Sequence, residues 1–228
     1  MKVAFIGGGK MAEAILHGVL FGKLAGPKDI SVGEPVAERR EYLTSQFGVN
    51  TDADNLKTAQ QADLVVFAVK PQDLGLVMGQ LKDKLGTDQA ALSIVAGAKV
   101  ETLTKGLGHT SVVRVMPNTP AQIGAGMTLW TCSDGVDESR REMTKSVLGS
   151  IGQEIYVDDE KYMDMATALS ASGPAYVFLF IEALIDAGVY VGMPRDMART
   201  LALQTIFGST KLVMDTGMHP AELKDMVV

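Results

Sequence analysis

The stretch Lys2-Val3-Ala4-Phe5-Ile6-Gly7-Gly8-Gly9-Lys10-Met11-Ala12 decides the fold. Val3 to Ile6 is a short apolar run of the kind that forms a strand buried on both faces, and it breaks at once into three glycines. Gly7, Gly9 and Ala12 then fit the pattern Gly-x-Gly-x-x-Gly/Ala, which joins the first strand of a dinucleotide-binding unit to its first helix. Gly7 permits the tight turn, Gly9 lets the backbone approach a pyrophosphate, and Ala12 allows the helix to pack closely on the strand. The helix N-terminus offers its unpaired N–H groups to the anion. A glycine-rich turn without a ligand is the bland alternative, and the strand before and helix after weigh against it.

Outward from that turn, Val- and Ile-rich runs alternate with helix-period segments, the pattern of a parallel sheet covered on both faces. Strands are expected near residues 2–6, 30–33, 64–69, 90–95 and 112–116. Two further strands are expected near Thr128–Thr131 and Glu154–Val157, with a helix over Glu138–Leu148 between them. Met11 to Leu20 reads as the first helix, and Pro35 to Phe47 as the second, with the proline in its first turn. After Asp158-Asp159-Glu160 the chain reads as helix alone, broken at Gly173-Pro174, Gly192-Met193-Pro194 and His219-Pro220. The expected fold is therefore α/β, an N-terminal Rossmann dinucleotide-binding domain over residues 1–159 followed by a smaller all-α domain over 160–228. Ala175 to Val191 is apolar nearly all round, so it must be buried on every side, which about 70 residues cannot do alone. A partner subunit is expected to complete that core, with Glu182 and Asp186 on one helix face and Phe178 with Leu184 or Ile185 on the opposite, subunit-facing side.

The 228 residues are 46% apolar and 21% charged with a net charge of −6, and the basic residues are scattered, which argues against nucleic acid as a partner. Cys132 is the only cysteine, so no internal disulfide forms and no zinc-ligand spacing exists, and a reducing cytoplasm is expected. No signal peptide is expected ahead of the first strand, and Tyr176 to Met193, which carries Glu182 and Asp186, is expected to fall short of a membrane span. No metal site and no membrane are expected.

Several residues beyond the glycine turn stand at strand ends, where open α/β sheets bind ligands. Glu34, after the second strand, is placed to accept hydrogen bonds from the adenosine ribose, which favours NADH. Arg39 and Arg40 stand near enough to hold a 2′-phosphate, against the plainer reading of a solvated helix face, so NADPH or NADH both stay open. Lys70 follows the strand 64–69 and is held extended by Pro71; it is either a cofactor contact or a surface lysine. Asn118, between two prolines, offers its amide to the nicotinamide carboxamide, or is an ordinary turn asparagine. His17, His109 and His219 form no catalytic constellation.

Taken together, Phe5-Ile6-Gly7-Gly8-Gly9-Lys10-Met11-Ala12, Ala68-Val69-Lys70-Pro71, Val115-Met116-Pro117-Asn118-Thr119-Pro120 and Ala168-Leu169-Ser170-Ala171-Ser172-Gly173-Pro174-Ala175-Tyr176-Val177-Phe178 resemble the pyrroline-5-carboxylate reductase family. The last motif is the most specific, and Gly192-Met193-Pro194-Arg195 and His219 to Asp225 extend it. The resemblance implies reduction of 1-pyrroline-5-carboxylate to L-proline, a helical dimerisation domain, and a homodimer that assembles into a larger ring. It implies cofactor contacts at Ile6, Gly7, Gly8, Gly9, Lys10, Met11 and Ala12, at Glu34 and Asn55, at Ala68, Val69, Lys70 and Pro71, and at Val95 and Ala96. Glu160 and Ser172 are the implied residues near the substrate, Ser172 having a helix N-cap as its plain alternative. No general acid is named, since a cyclic imine can arrive already protonated. Beyond Asp225 the resemblance implies a Ser-Pro-Gly-Gly-Thr-Thr loop that holds the substrate carboxylate, and the helical domain reads either as truncated before it or as a short form. Met226 stands where some members have asparagine. The alternatives are a related β-hydroxyacid or imine dehydrogenase, and a dinucleotide-binding protein without turnover.

Overall fold

The computed structural model describes residues 1–228. One eight-stranded sheet runs in the order β3-β2-β1-β4-β5-β6-β7-β8. Its strands are β1 (Val3–Ile6), β2 (Ile30–Gly33), β3 (Asn50–Asp52), β4 (Leu64–Phe67), β5 (Ala90–Ser93), β6 (Val112–Met116), β7 (Gly126–Cys132) and β8 (Gly152–Tyr156). The first six are parallel, and their order 3-2-1-4-5-6 is that of a dinucleotide-binding sheet. The chain then reverses: β7 pairs antiparallel to β6, and β8 runs parallel to β7.

Side-chain alternation along the strands sends residues to two cores. Val3 and Phe5 join Ile15, Val19, Leu43 and Val147 on one face, from α1 (Lys10–Phe21), α2 (Ala37–Phe47) and α6 (Glu138–Gly149). Ala4 and Ile6 join Ala59, Leu74, Val77 and Leu103 on the other, from α3 (Asn55–Ala59), α4 (Pro71–Leu81) and α5 (Val100–Leu107). Helices on both faces are what continuous apolar strands require.

The expected elements are present, with three differences. Three residues, Asn50–Asp52, form the edge strand β3; they are polar and carry no apolar alternation to announce them. Helix α2 begins at Ala37 after an extended Val36, so Pro35 precedes the helix and does not open it. At Gly173-Pro174 the helix restarts instead of ending: α7 (Lys161–Ala166) runs into a π-helical stretch Thr167–Ala171, and α8 (Gly173–Tyr190) follows.

The chain folds as two compact units, Met1–Gly173 and Pro174–Val228. The boundary falls later than the change of character at residue 160 because α7 is tied to the sheet. Arg114 of β6, only 1% exposed, bonds Glu160 at 2.8 Å and Asp164 at 2.9 Å, and Glu160 Oε1 also accepts the Val100 N–H at 2.9 Å. Asp164 is exposed, and the hydrogen bond and charge of Arg114 hold its carboxyl below the ordinary 3.8. A lowered folded value means that this pairing stabilises the fold above pH 3.8 and is lost as pH falls through the lower folded value. We expect the denaturation midpoint of Asp164→Asn to change less across that acid window than that of the unmodified chain. A parallel pH dependence in both would contradict the pairing.

In the second unit, α8, α9 (Arg195–Thr216) and α10 (Pro220–Asp225) leave large apolar side chains outside. Only Gly173 of α8 is buried, while Phe178, Leu179 and Phe180 are more than half exposed. The continuous helical run Lys161–Tyr190 is long and apolar enough to cross a membrane by length and composition, contrary to the expectation that this region falls short. Phe178 and Ile185 share a groove with Glu182 and Arg195, so they do not oppose the Glu182 face. Their i, i+4, i+7 spacing places Phe178, Glu182 and Ile185 on one stripe. Asp186 pairs with Arg195 at 2.8 Å.

Candidate active site

Strand register lines up the site. Ile6 stands opposite Gly33 and Phe67, Phe67 opposite Ser93, and Ser93 opposite Arg114, so the turns that leave β1, β2, β4 and β5 emerge side by side at one sheet edge. They enclose a cavity of about 810 Å³, within the 300–1,000 Å³ usual for cofactor sites.

The glycine loop forms its floor. Gly7 has φ +98°, and a Cβ there would lie 2.7 Å from the Ala68 carbonyl oxygen, so the turn requires glycine. Gly9, the residue that caps α1, has nothing within 4 Å of where its Cβ would point. Gly9 is thus empty for another reason than packing: it leaves the approach to the α1 N-terminus open, where backbone N–H groups lack helical partners. This cradle fits a pyrophosphate, and Gly7, Gly8, Gly9, Lys10 and Met11 all line the cavity.

Glu34 and Asn55 line one end. Glu34 accepts the Gly8 N–H at 2.9 Å and the Val36 N–H at 3.0 Å, and Asn55 donates to Gln80 at 2.8 Å. Ala68, Val69, Lys70 and Pro71 line the middle, Lys70 being held extended at φ −68°, ψ 150° as the proline predicts. Val95 and Ala96 line the far side together with Ile94, Met116 and Pro117. Asp73, Leu76 and Gln80 also line it and were not foreseen, because α4 beyond Pro71 reaches the cavity only through tertiary packing; Gly33, at the end of β2, lines it too.

Five expected residues stand elsewhere. Ile6 and Ala12 are buried beneath the loop, where they support it. Asn118 is outside the cavity lining: its Oδ1 accepts the Met127 N–H at 2.9 Å and its Nδ2 donates to the Ser170 carbonyl at 3.3 Å. Its amide fastens β7 and the π-helical stretch to the end of β6. Glu160 serves the Arg114 cluster described above, and Ser172 is exposed, with its backbone N–H donated to Thr167 O at 2.8 Å. Ser172 has helical angles and ends the π-helical stretch, so the N-cap alternative does not hold.

Arg114 was missed because it lies inside an otherwise apolar strand; its charge among Val112, Val113 and Val115 was the available signal. Arg39 and Arg40 are not merely solvated. Arg39 Nε donates to the Gly8 carbonyl at 2.6 Å, and Arg40 Nη1 donates to the Glu34 and Pro35 carbonyls at 2.7 and 2.8 Å. Lys161 opens α7 and pairs with Asp159 at 2.6 Å. His219 caps α10 through Nδ1, and His109 is buried against the Gln89 carbonyl. No group of three metal-ligating side chains is present.

Two family models match: pyrroline-5-carboxylate reductase dimerisation over residues 160–228, and NADP oxidoreductase, coenzyme F420-dependent, over residues 2–97. A pyrroline-5-carboxylate reductase from Synechocystis sp. is 41% identical over 228 residues, covering 100% of this chain and 84% of the relative. The solved structure of a pyrroline-5-carboxylate reductase from Coxiella burnetii superposes with a TM-score of 0.91 at 33% identity, covering 100% of this chain and 84% of that one. The Plasmodium falciparum pyrroline carboxylate reductase, solved with NADP bound, has the same TM-score, identity and coverage. Likeness of this extent runs through the sheet, the glycine loop and the helical segment alike, and on it the chain belongs to the pyrroline-5-carboxylate reductase family.

Proposed function

We infer that this chain reduces the C=N bond of 1-pyrroline-5-carboxylate to give L-proline, with NADPH or NADH as hydride donor. The observation that carries the reading is the cavity at the strand ends, whose open Gly9 cradle suits a pyrophosphate, in a chain 41% identical to a pyrroline-5-carboxylate reductase over its full length. The bound nicotinamide supplies the hydride, and the protein's work is to hold the two reactants in line and keep water out. Gly7 to Met11 hold the pyrophosphate, Glu34 and Asn55 the adenosine end, and Ala68 to Pro71 with Val95 and Ala96 the stretch towards the nicotinamide. Ile6 and Ala12 act from beneath. Glu160 and Ser172 are assigned to the substrate end, and residues 160–228 to the dimerisation and substrate segment.

The exposed apolar stripes of α8 and α9 are covered by a second copy of the chain. This reading accounts for the membrane-like composition of Lys161–Tyr190 without a membrane, because the family model matched there is a dimerisation model. Dimers assembling into a ring, in the cytoplasm, complete the proposal. Steady-state oxidation of NADPH and NADH tests it. Turnover is expected with 1-pyrroline-5-carboxylate and not with open-chain hydroxy or keto acids. Turnover with the open-chain substrates alone, or nucleotide binding without turnover, would contradict it.

A further inference from the structure

The Gly8 peptide is gripped on both sides by ionised groups from the β2–α2 region. Its N–H donates to Glu34 Oε2 at 2.9 Å and its carbonyl accepts from Arg39 Nε at 2.6 Å. The other end of the Arg39 guanidinium pairs with Glu13 of α1 at 2.5 Å, with both side chains largely buried. Glu13 also accepts the Tyr42 hydroxyl at 3.0 Å, and the Tyr42 ring lies 4.8 Å from the Arg39 guanidinium carbon. Two neighbouring cations have protein partners as well: Arg40 is turned onto the Glu34 and Pro35 carbonyls, and the exposed Lys10 ammonium lies 3.4 Å from Glu13.

The geometry points to cofactor choice: Glu13 holds Arg39 against the Gly8 peptide, which leaves Glu34 as the charge at the adenosine ribose and selects NADH over NADPH. The inference rests on the nucleotide site proposed above. Each Glu34 oxygen has a second lone pair beyond its backbone bond, so the carboxylate can still accept from ribose hydroxyls. A 2′-phosphate would bring a second anion against it and would need a guanidinium to offset the repulsion. Arg39 is the side chain suited to that task, and Glu13 keeps it from it. Partial burial pushes the Glu13 carboxyl up, but hydrogen bonds from Arg39 and Tyr42 and the charges of Arg39 and Lys10 outweigh this and hold it below 4.5. Glu13 therefore stays ionised at neutral pH. The Plasmodium relative was solved with NADP, so the inference sets this chain apart from it at the adenosine end.

Fluorescence titration of the full chain with NADH and with NADPH tests this. NADH is expected to bind at least about tenfold more tightly, ~1.4 kcal/mol. Glu13→Ala removes the acceptor that holds the Arg39 guanidinium and should narrow that ratio about tenfold through tighter NADPH binding, and Glu34→Gln should move the ratio the same way. The two nucleotides differ only in the 2′-phosphate, so a loosened or partly unfolded loop weakens both and leaves their ratio in place. Equal or tighter binding of NADPH by the unmodified chain, or a ratio that neither variant moves, overturns the inference. Failure to bind either nucleotide would overturn the nucleotide site on which it rests.

Discussion

A Gly9→Val protein will fold and will not hold a nicotinamide dinucleotide. Gly9 has extended backbone angles that any residue adopts, φ −68° and ψ −178°, and a Cβ at this position meets no atom within 4 Å. Folding thus gives no reason for glycine here. The open space lies over the first turn of α1, where an anion takes the free N–H groups, and a valine side chain would occupy it. Hydrogen bonds to a charged group contribute about 1.5–3 kcal/mol each, so losing two weakens binding by more than about a hundredfold. Gly7→Ala should do the reverse. Its φ of +98° and the 2.7 Å approach to Ala68 make it a stability mutation, costing about 1–3 kcal/mol from strain alone. Chemical denaturation and nucleotide titration of both proteins read the contrast. Native-like affinity in folded Gly9→Val would remove the pyrophosphate from this loop.

The second large effect is expected at the subunit seam. Val177, Phe180 and Leu184 follow helical spacing on α8, and all are exposed within one chain. A continuous apolar surface of this kind is rarely left bare by a soluble monomer. Light scattering of the unmodified chain should give a dimer or a multiple of it at every workable concentration. Leu184→Asp should give aggregate or unfolded chain and no clean monomer, because an unpaired carboxylate at an apolar interface costs several kcal/mol. A monodisperse, concentration-independent monomer from the unmodified chain would refute the seam.

How much of this was legible depended on whether the cause was local. Val3 to Ala12 could be read because strand, turn and helix each leave a mark within a few residues, and the tight turn expected at Gly7 is there, while the space beside Gly9 is open. Lys70 held extended by Pro71 is another local cause. The antiparallel entry of β7 was not legible. It depends on how residues 117–125 turn back, through a 3-10 turn at Thr119–Ile123 and Gly124 at φ +71°, and strand direction leaves no trace in strand composition.

The same limit governed the site. Gln80 and Leu76 come to the cavity by packing of α4, and the double grip on Gly8 joins residues 26 and 31 positions apart. Asn118 reads as a ligand residue because it sits between prolines at a strand end, while its bonds to Met127 and Ser170 join partners that only the folded chain brings near. Arg114 was hidden by the apolar strand around it, and it explains why Glu160 and Asp164 stay with the sheet.

The most direct measurement follows the hydride itself. With a nicotinamide cofactor carrying deuterium at C4 on the transferred face, the account predicts L-proline bearing one deuterium on the ring carbon next to nitrogen and remote from the carboxylate, read by mass and NMR spectra. Proline that forms without the label, or a cofactor that is bound and never oxidised in the presence of 1-pyrroline-5-carboxylate, would contradict it.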